Sequence, residues 1–243
     1  MGMRDDVSAL IFDFGGTLDT GGCHWGRFFW HAYQKLNVTL TWHQFAEAYV
    51  YAERSLARQR IIMPDFSFRR TLQTKINLQM QWLAQKGLVG SEDRQSNMLS
   101  PDTLLDFLYN KVSEYTFESK GGLDVLARHF PLALVTNFYG NMDVVLREFQ
   151  LEEYFCHVVE SMKVGVRKPD PAIFRMGVEA LGVEPSRVLV VGDSIDKDII
   201  PAKQVGCKTV WLKGETWDGT TPQDVCADYV VSHISGLKEL LKL

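Results

Sequence analysis

From Leu132 onward this 243-residue chain alternates short β-branched apolar runs with helical ones, and that alternation leaves few folds open to it. Leu132–Thr136, His157–Glu160, Val188–Val191 and Thr209–Leu212 predict strands. Val144–Phe149, Pro171–Leu181 and Ile199–Gln204 predict the helices between them. Strands joined by helices pair in parallel, because only a crossover returns the chain to the same edge. Tyr229–Val231 and Leu237–Leu241 add a further strand and helix, and Leu10-Ile-Phe12 predicts a buried strand near the start. The expected fold class is α/β, a Rossmann-like parallel sheet flanked by helices.

Residues 24–115 lack that rhythm and read as helices over Trp25–Leu36, Trp42–Arg60, Phe66–Lys86 and Pro101–Tyr115. Phe28, Phe29, Ala32, Tyr33 and Leu36 recur at helical spacing. Thr41 with Gln44 has the form of a capping box. Ser100 stands as a cap before Pro101 at the first helical position. Paired glycines, Gly21-Gly22 and Gly121-Gly122, flank the block and read as hinges. The expected organisation is a core of residues 1–20 and 120–243, with residues 21–119 inserted as an all-helical domain.

The predicted strands end on residues able to do chemistry. Asp13 follows Leu10-Ile-Phe12 and precedes Phe14-Gly15-Gly16-Thr17, where glycine eases a sharp turn. Thr136-Asn137 closes the second run. Lys168 stands before Pro169, and Gly192-Asp193-Ser194 leads to Asp198. In open α/β sheets, ligands bind at the carboxyl ends of strands. Taken in order, these four segments resemble the motifs of the haloacid dehalogenase (HAD) superfamily, and the helical insertion resembles that family's C1-type cap. The resemblance implies phosphoryl transfer with Asp13 as nucleophile, and catalytic roles for Thr136 and Lys168. It implies Mg²⁺ held by Asp13, the carbonyl of Gly15 and Asp193, with Asp198 acting through water or orienting a neighbour. Gly16, Thr136, Asn137 and Lys168 would then bind substrate, a small phosphorylated metabolite.

One position departs from the motif: Gly15 stands where the family's phosphatases carry a second Asp, their general acid/base. Such a group contributes about 10²- to 10⁴-fold, so the expected enzyme is slow or selective, favouring good leaving groups. Asp19 and His24 are candidate substitutes, although a turn role suits Asp19 and a helix role His24. A catalytically silenced relative that keeps the fold for binding or regulation is the alternative. A metal-free dehalogenase would leave Asp193 and Asp198 idle. A phosphonate-cleaving enzyme would need a Schiff-base lysine, for which Lys35, Lys75 and Lys86 are available but read as solvated helix faces. Arg54, Arg58, Arg60, Arg69 and Arg70 read as a solvent-facing rim, and Phe28, Phe29 and Trp30 as packing within the insertion.

Composition narrows the partners. A formal net charge of −4 makes no electrostatic case for nucleic acid. No stretch approaches the roughly 20 apolar residues of a membrane helix, and Met1-Gly-Met-Arg-Asp-Asp6 lacks the layout of a secretion signal. Cys23, Cys156, Cys207 and Cys226 form neither a metal-type nor a disulfide-type spacing. A cytoplasmic setting is the expectation.

Overall fold

A computed structural model describes residues 6–89, 100–223 and 225–243. The chain forms β1 (Ala9–Phe12), helices α1 (Trp25–Lys35), α2 (Trp42–Arg58), α3 (Phe68–Gln85) and α4 (Pro101–Leu126), and then β2 (Leu132–Thr136). There follow α5 (Met142–Glu148), β3 (Phe155–Glu160), the single turn α6 (Ser161–Val164), α7 (Ala172–Leu181) and β4 (Val188–Gly192). The last elements are α8 (Ile200–Val205), β5 (Lys208–Leu212), β6 (Tyr229–Val231) and α9 (Gly236–Leu241). All six strands pair in parallel in the order β3-β2-β1-β4-β5-β6. Among the described residues no helix is long and apolar enough to cross a membrane.

The continuous apolar runs of β1, β2 and β4 are fully buried, as expected of strands covered on both faces. Alternate residues split between two cores. Ile11, Ala133, Val135, Val188 and Val190 pack with Ile173, Phe174, Val178 and Ala202 of α7 and α8. Leu10, Phe12, Leu134, Leu189 and Val191 face the other way, into a cluster that continues through Leu123 and Leu126 to Phe29, Tyr33, Phe45, Leu72 and Leu108. The inserted helices therefore share a continuous apolar core with one face of the sheet.

The four helices read between residues 24 and 115 form as α1 to α4, with the Thr41–Gln44 capping box formed in both directions. Ser100 occupies the cap position of α4, but its side chain makes no cap hydrogen bond. The larger difference lies at Gly121-Gly122, which sit inside α4 and not at a hinge. The helix runs on to Leu126 because its far end is held by tertiary packing, which overrides the low helix propensity of glycine. A Cβ at Gly122 would lie 2.7 Å from Ile234 Cγ2, so the missing side chain is what lets α4 approach the segment before α9. Gly21 and Gly22, by contrast, form a real turn, both with positive φ, and Gly22 N–H donates to Gly16 O at 2.6 Å.

Candidate active site

Register decides what meets at the carboxyl edge of the sheet. Phe12 pairs with Leu134 on one side and Val191 on the other, so the next residues of β1, β2 and β4 converge. Asp13, Thr136 and Asp193 are brought together in this way, and Lys168 reaches them from the loop before α7. Its ammonium lies 2.6 Å from Asp13 Oδ1 and 2.6 Å from Asp198 Oδ1, almost wholly buried. Asn137 fixes the backbone of that loop: its Nδ2 donates to Lys168 O at 3.0 Å and its Oδ1 accepts from Lys168 N at 2.9 Å. Asp198 stands on a turn of π-helix, Ile195–Ile199, and its Oδ2 accepts from Ser194 N at 3.0 Å. Thr17 and Asp193 clasp each other, hydroxyl to carboxylate and backbone N–H to hydroxyl, both at 3.1 Å.

Thr136 Oγ1 is buried and has no hydrogen-bond partner among the described residues. A buried hydroxyl left unpaired costs stability, and this one lies on the wall of a cavity of about 400 Å³ shared with Asp13 and Lys168. Gly16 has φ +102, and a Cβ there would collide with the Asp193 carboxylate. Its N–H already donates to Asp19 Oδ1 at 2.7 Å, so the turn, and not a substrate, claims the donor expected of Gly16.

Asp13, Asp193 and Asp198 bring carboxylate oxygens within 4.8 Å of one another. One ammonium faces this group, leaving negative charge uncompensated. Burial raises Asp13 to about 6 against the pull of Lys168, with Asp198 adding to the rise. Burial, Asp198 and Asp13 hold Asp193 well above the usual carboxylate range. Burial opposes the Lys168 charge, but Asp13 and Asp198 outweigh it and keep the ammonium protonated. An all-oxygen donor set with excess negative charge fits a hard divalent cation such as Mg²⁺. A second grouping, Cys23, His31 and Glu215, is already paired within the protein. His31 lies 2.5 Å and Arg27 3.9 Å from Glu215, which ties the loop after β5 to α1.

Position 15 lines the cavity, and nothing in the backbone there demands glycine. A Cβ would rest 3.7 Å from Trp25 Nε1 in ordinary contact. That indole donates to Asp19 Oδ2 at 3.0 Å, and burial raises the Asp19 carboxyl to about 7. Asp19 thus serves the turn, bonded through both oxygens and screened from the cavity by Trp25. His24 caps α1, accepting from Gly26 N through Nδ1 at 3.0 Å, and burial lowers it to about 4, so it is neutral at pH 7.

Lys75 departs from the solvated-face reading. It is 8% exposed and lines the cavity with Glu53 and Tyr139. Its place was legible: Phe68, Thr71, Leu72, Lys75, Ile76, Gln79 and Leu83 form the buried stripe of α3, and Lys75 falls within it. Glu53 and Tyr139 carried no comparable signal, since their meeting depends on how α2 sits above the loop after β2. The five arginines of residues 54–70 are exposed and none lines the cavity. Phe28 and Phe29 are buried in the core, and Trp30 stacks on Trp42 and Phe45. All four cysteines are free thiols.

The chain is similar to known proteins. The chain is 39% identical over 94 residues to the glyceraldehyde 3-phosphate phosphatase of Pyrococcus furiosus, covering 38% of this chain and 39% of that one. It is 37% identical over 100 residues to the phosphoserine phosphatase of Thermus thermophilus, covering 40% of this chain and 38% of that one. These alignments span about two fifths of each relative. The fold matches the magnesium-bound HAD-hydrolase YfnB of Bacillus subtilis with a TM-score of 0.56 at 17% identity, over 98% of this chain and 99% of that one. The family model of haloacid dehalogenase-like hydrolases matches residues 7–206, and on that match the chain belongs to the haloacid dehalogenase-like hydrolases.

Proposed function

We propose that this hydrolase is a Mg²⁺-dependent phosphatase of small phosphomonoesters that works through an aspartyl phosphate on Asp13. The observation that carries the reading is the buried Lys168 ammonium bridging Asp13 and Asp198 beside the unpartnered Thr136 hydroxyl. The names of the two phosphatase relatives support the same substrate class. Asp13, the Gly15 carbonyl and Asp193 would hold Mg²⁺, with Asp198 beside them. When bound, the ion neutralises charge on the transferring phosphoryl oxygens. The helices of residues 21–119 act as the cap that closes the cavity.

In the first step the Asp13 carboxylate bonds to phosphorus and the bond to the leaving oxygen breaks. Lys168 and the Thr136 hydroxyl hold the equatorial oxygens, and the Asn137 backbone N–H adds a donor. The leaving alkoxide takes its proton from solvent, because Gly15 offers none. In the second step water bonds to phosphorus, its proton passes to solvent, and orthophosphate leaves as the Asp13 carboxylate is restored. Without a carboxyl at position 15 both proton movements are slow, so aryl phosphates outpace alkyl ones and the phosphoenzyme accumulates.

Phosphate release from an aryl phosphate, with Mg²⁺ and with chelator, tests this on the wild type and Asp13→Asn. Metal-dependent release lost in the variant supports the enzyme. Gly15 favours a second reading, a phosphate-binding relative without turnover; binding of phosphate with no release from any ester would support that one instead.

A further inference from the structure

The cavity wall opposite Asp13 carries an ion pair that the chemistry at Asp13 does not use. Lys75 Nζ on α3 lies 2.8 Å from Glu53 Oε1 on α2, and Tyr139 Oη donates to Glu53 Oε2 at 3.0 Å. The ammonium sits 5.4 Å from the ring centres of both Trp25 and Tyr139. Oε1 meets the ammonium off the ideal hydrogen-bond angle, so the pair is held mainly by charge. Burial opposes the Lys75 charge, but Glu53 and the neighbouring tyrosines hold it protonated.

Buried ion pairs are costly unless their spare donors and acceptors are satisfied. Here Glu53, a third exposed towards the cavity, keeps lone pairs for a further donor, and the Lys75 ammonium keeps N–H groups to spare. A carboxylate on the leaving group would gain Lys75 but face Glu53. An ammonium would gain Glu53 but face Lys75. A hydrocarbon would leave both unsatisfied. A hydroxyl donates to Glu53 and accepts from Lys75 at once, with no change of charge and no need for the pair to part.

Resting on the phosphatase reading, we infer that Glu53, Lys75 and Tyr139 form a leaving-group subsite selecting neutral, hydroxyl-bearing phosphomonoesters, short polyol or sugar phosphates, over those bearing a carboxylate.

The test is a specificity ratio. kcat/KM is measured for glycerol 3-phosphate and for 3-phosphoglycerate, which match in chain length and differ by a carboxylate, with phosphoserine as the zwitterionic arm. The wild type should favour glycerol 3-phosphate over 3-phosphoglycerate by about tenfold or more. Glu53→Gln, which removes the repulsion, should cut that ratio about tenfold by raising 3-phosphoglycerate turnover. Lys75→Met should raise the KM for glycerol 3-phosphate. Damage to the fold would lower all substrates together and leave the ratio in place. Faster turnover of 3-phosphoglycerate or phosphoserine by the wild type, or a ratio unmoved by Glu53→Gln, would overturn the subsite. Should the protein hydrolyse nothing, the phosphatase reading falls by itself. Calorimetric binding of glycerol 3-phosphate over 3-phosphoglycerate, lost in Lys75→Met, would then support the subsite, and equal binding of the two would overturn it.

Discussion

Thr136 separates stability from function more cleanly than any other residue of the site. Its hydroxyl is buried with no partner among the described residues, so Thr136→Val should leave stability unchanged or slightly raised. If the hydroxyl donates to a phosphoryl oxygen, kcat should fall by about 10²- to 10³-fold. Thermal melts and initial rates on one preparation check both halves; a large drop in Tm would show that the hydroxyl has a structural partner. Gly15 makes the complementary case, since its backbone admits a side chain and the nearest atoms to a Cβ belong to Trp25. Gly15→Asp should accelerate alkyl phosphates more than aryl ones, by about 10-fold or more, because only alkoxides need the proton. Equal acceleration of both would point to a binding effect. At this scale the convergence of Asp13, Thr136, Lys168, Asp193 and Asp198 was legible, three from strand ends, Lys168 from its neighbouring proline and Asp198 from its spacing after Asp193. Lys75 was misread, because a lysine in a helix was judged by its charge and not by the stripe it shares with Phe68, Leu72 and Ile76.

Among the elements, α4 tests how far glycine pairs predict flexibility. Gly121 is exposed within the helix and a Cβ there meets nothing, whereas one at Gly122 meets Ile234. Gly121→Ala should therefore stabilise the protein by about 0.5–1 kcal/mol with turnover unchanged. Gly122→Val should destabilise it by about 1–3 kcal/mol through overpacking. Urea denaturation of the two variants distinguishes them, and slowed turnover in Gly121→Ala would restore the hinge reading. Propensity placed a break where long-range packing sustains a helix. The Gly21-Gly22 pair, also read as a hinge, forms a local turn with positive φ at both residues.

For the whole molecule, the buried carboxylates couple stability to pH. A carboxyl whose pKa is raised on folding binds its proton more tightly in the folded state. Stability is therefore lost as pH rises from the ordinary value of 3.8 towards the folded one, about 6 for Asp13 and well above the usual carboxylate range for Asp193. In chelator, Tm should decline over roughly pH 4 to 7. With Mg²⁺ held by the same carboxylates the decline should be suppressed, so the gap between the two curves widens with pH. Each pH unit of displacement corresponds to about 1.4 kcal/mol, and a chain of this size gains about 2–4 °C per kcal/mol, which puts the gap at several degrees. Paired carboxylates on the surface, such as Asp228 beside Lys203, contribute equally to both curves and cancel. Parallel curves would mean that the three aspartates do not hold the ion.

By itself the sequence determined the parallel α/β sheet, the helical insertion after the first strand and the residues at the strand ends. Those features follow from local periodicity and from the rule that a strand's carboxyl end points its next side chain at the ligand edge. Tertiary structure alone decided the strand order, the continuity of α4 through its glycines, and the meeting of Glu53, Lys75 and Tyr139. Each of those depends on residues far apart in the chain, where packing outweighs local preference and leaves no periodic trace.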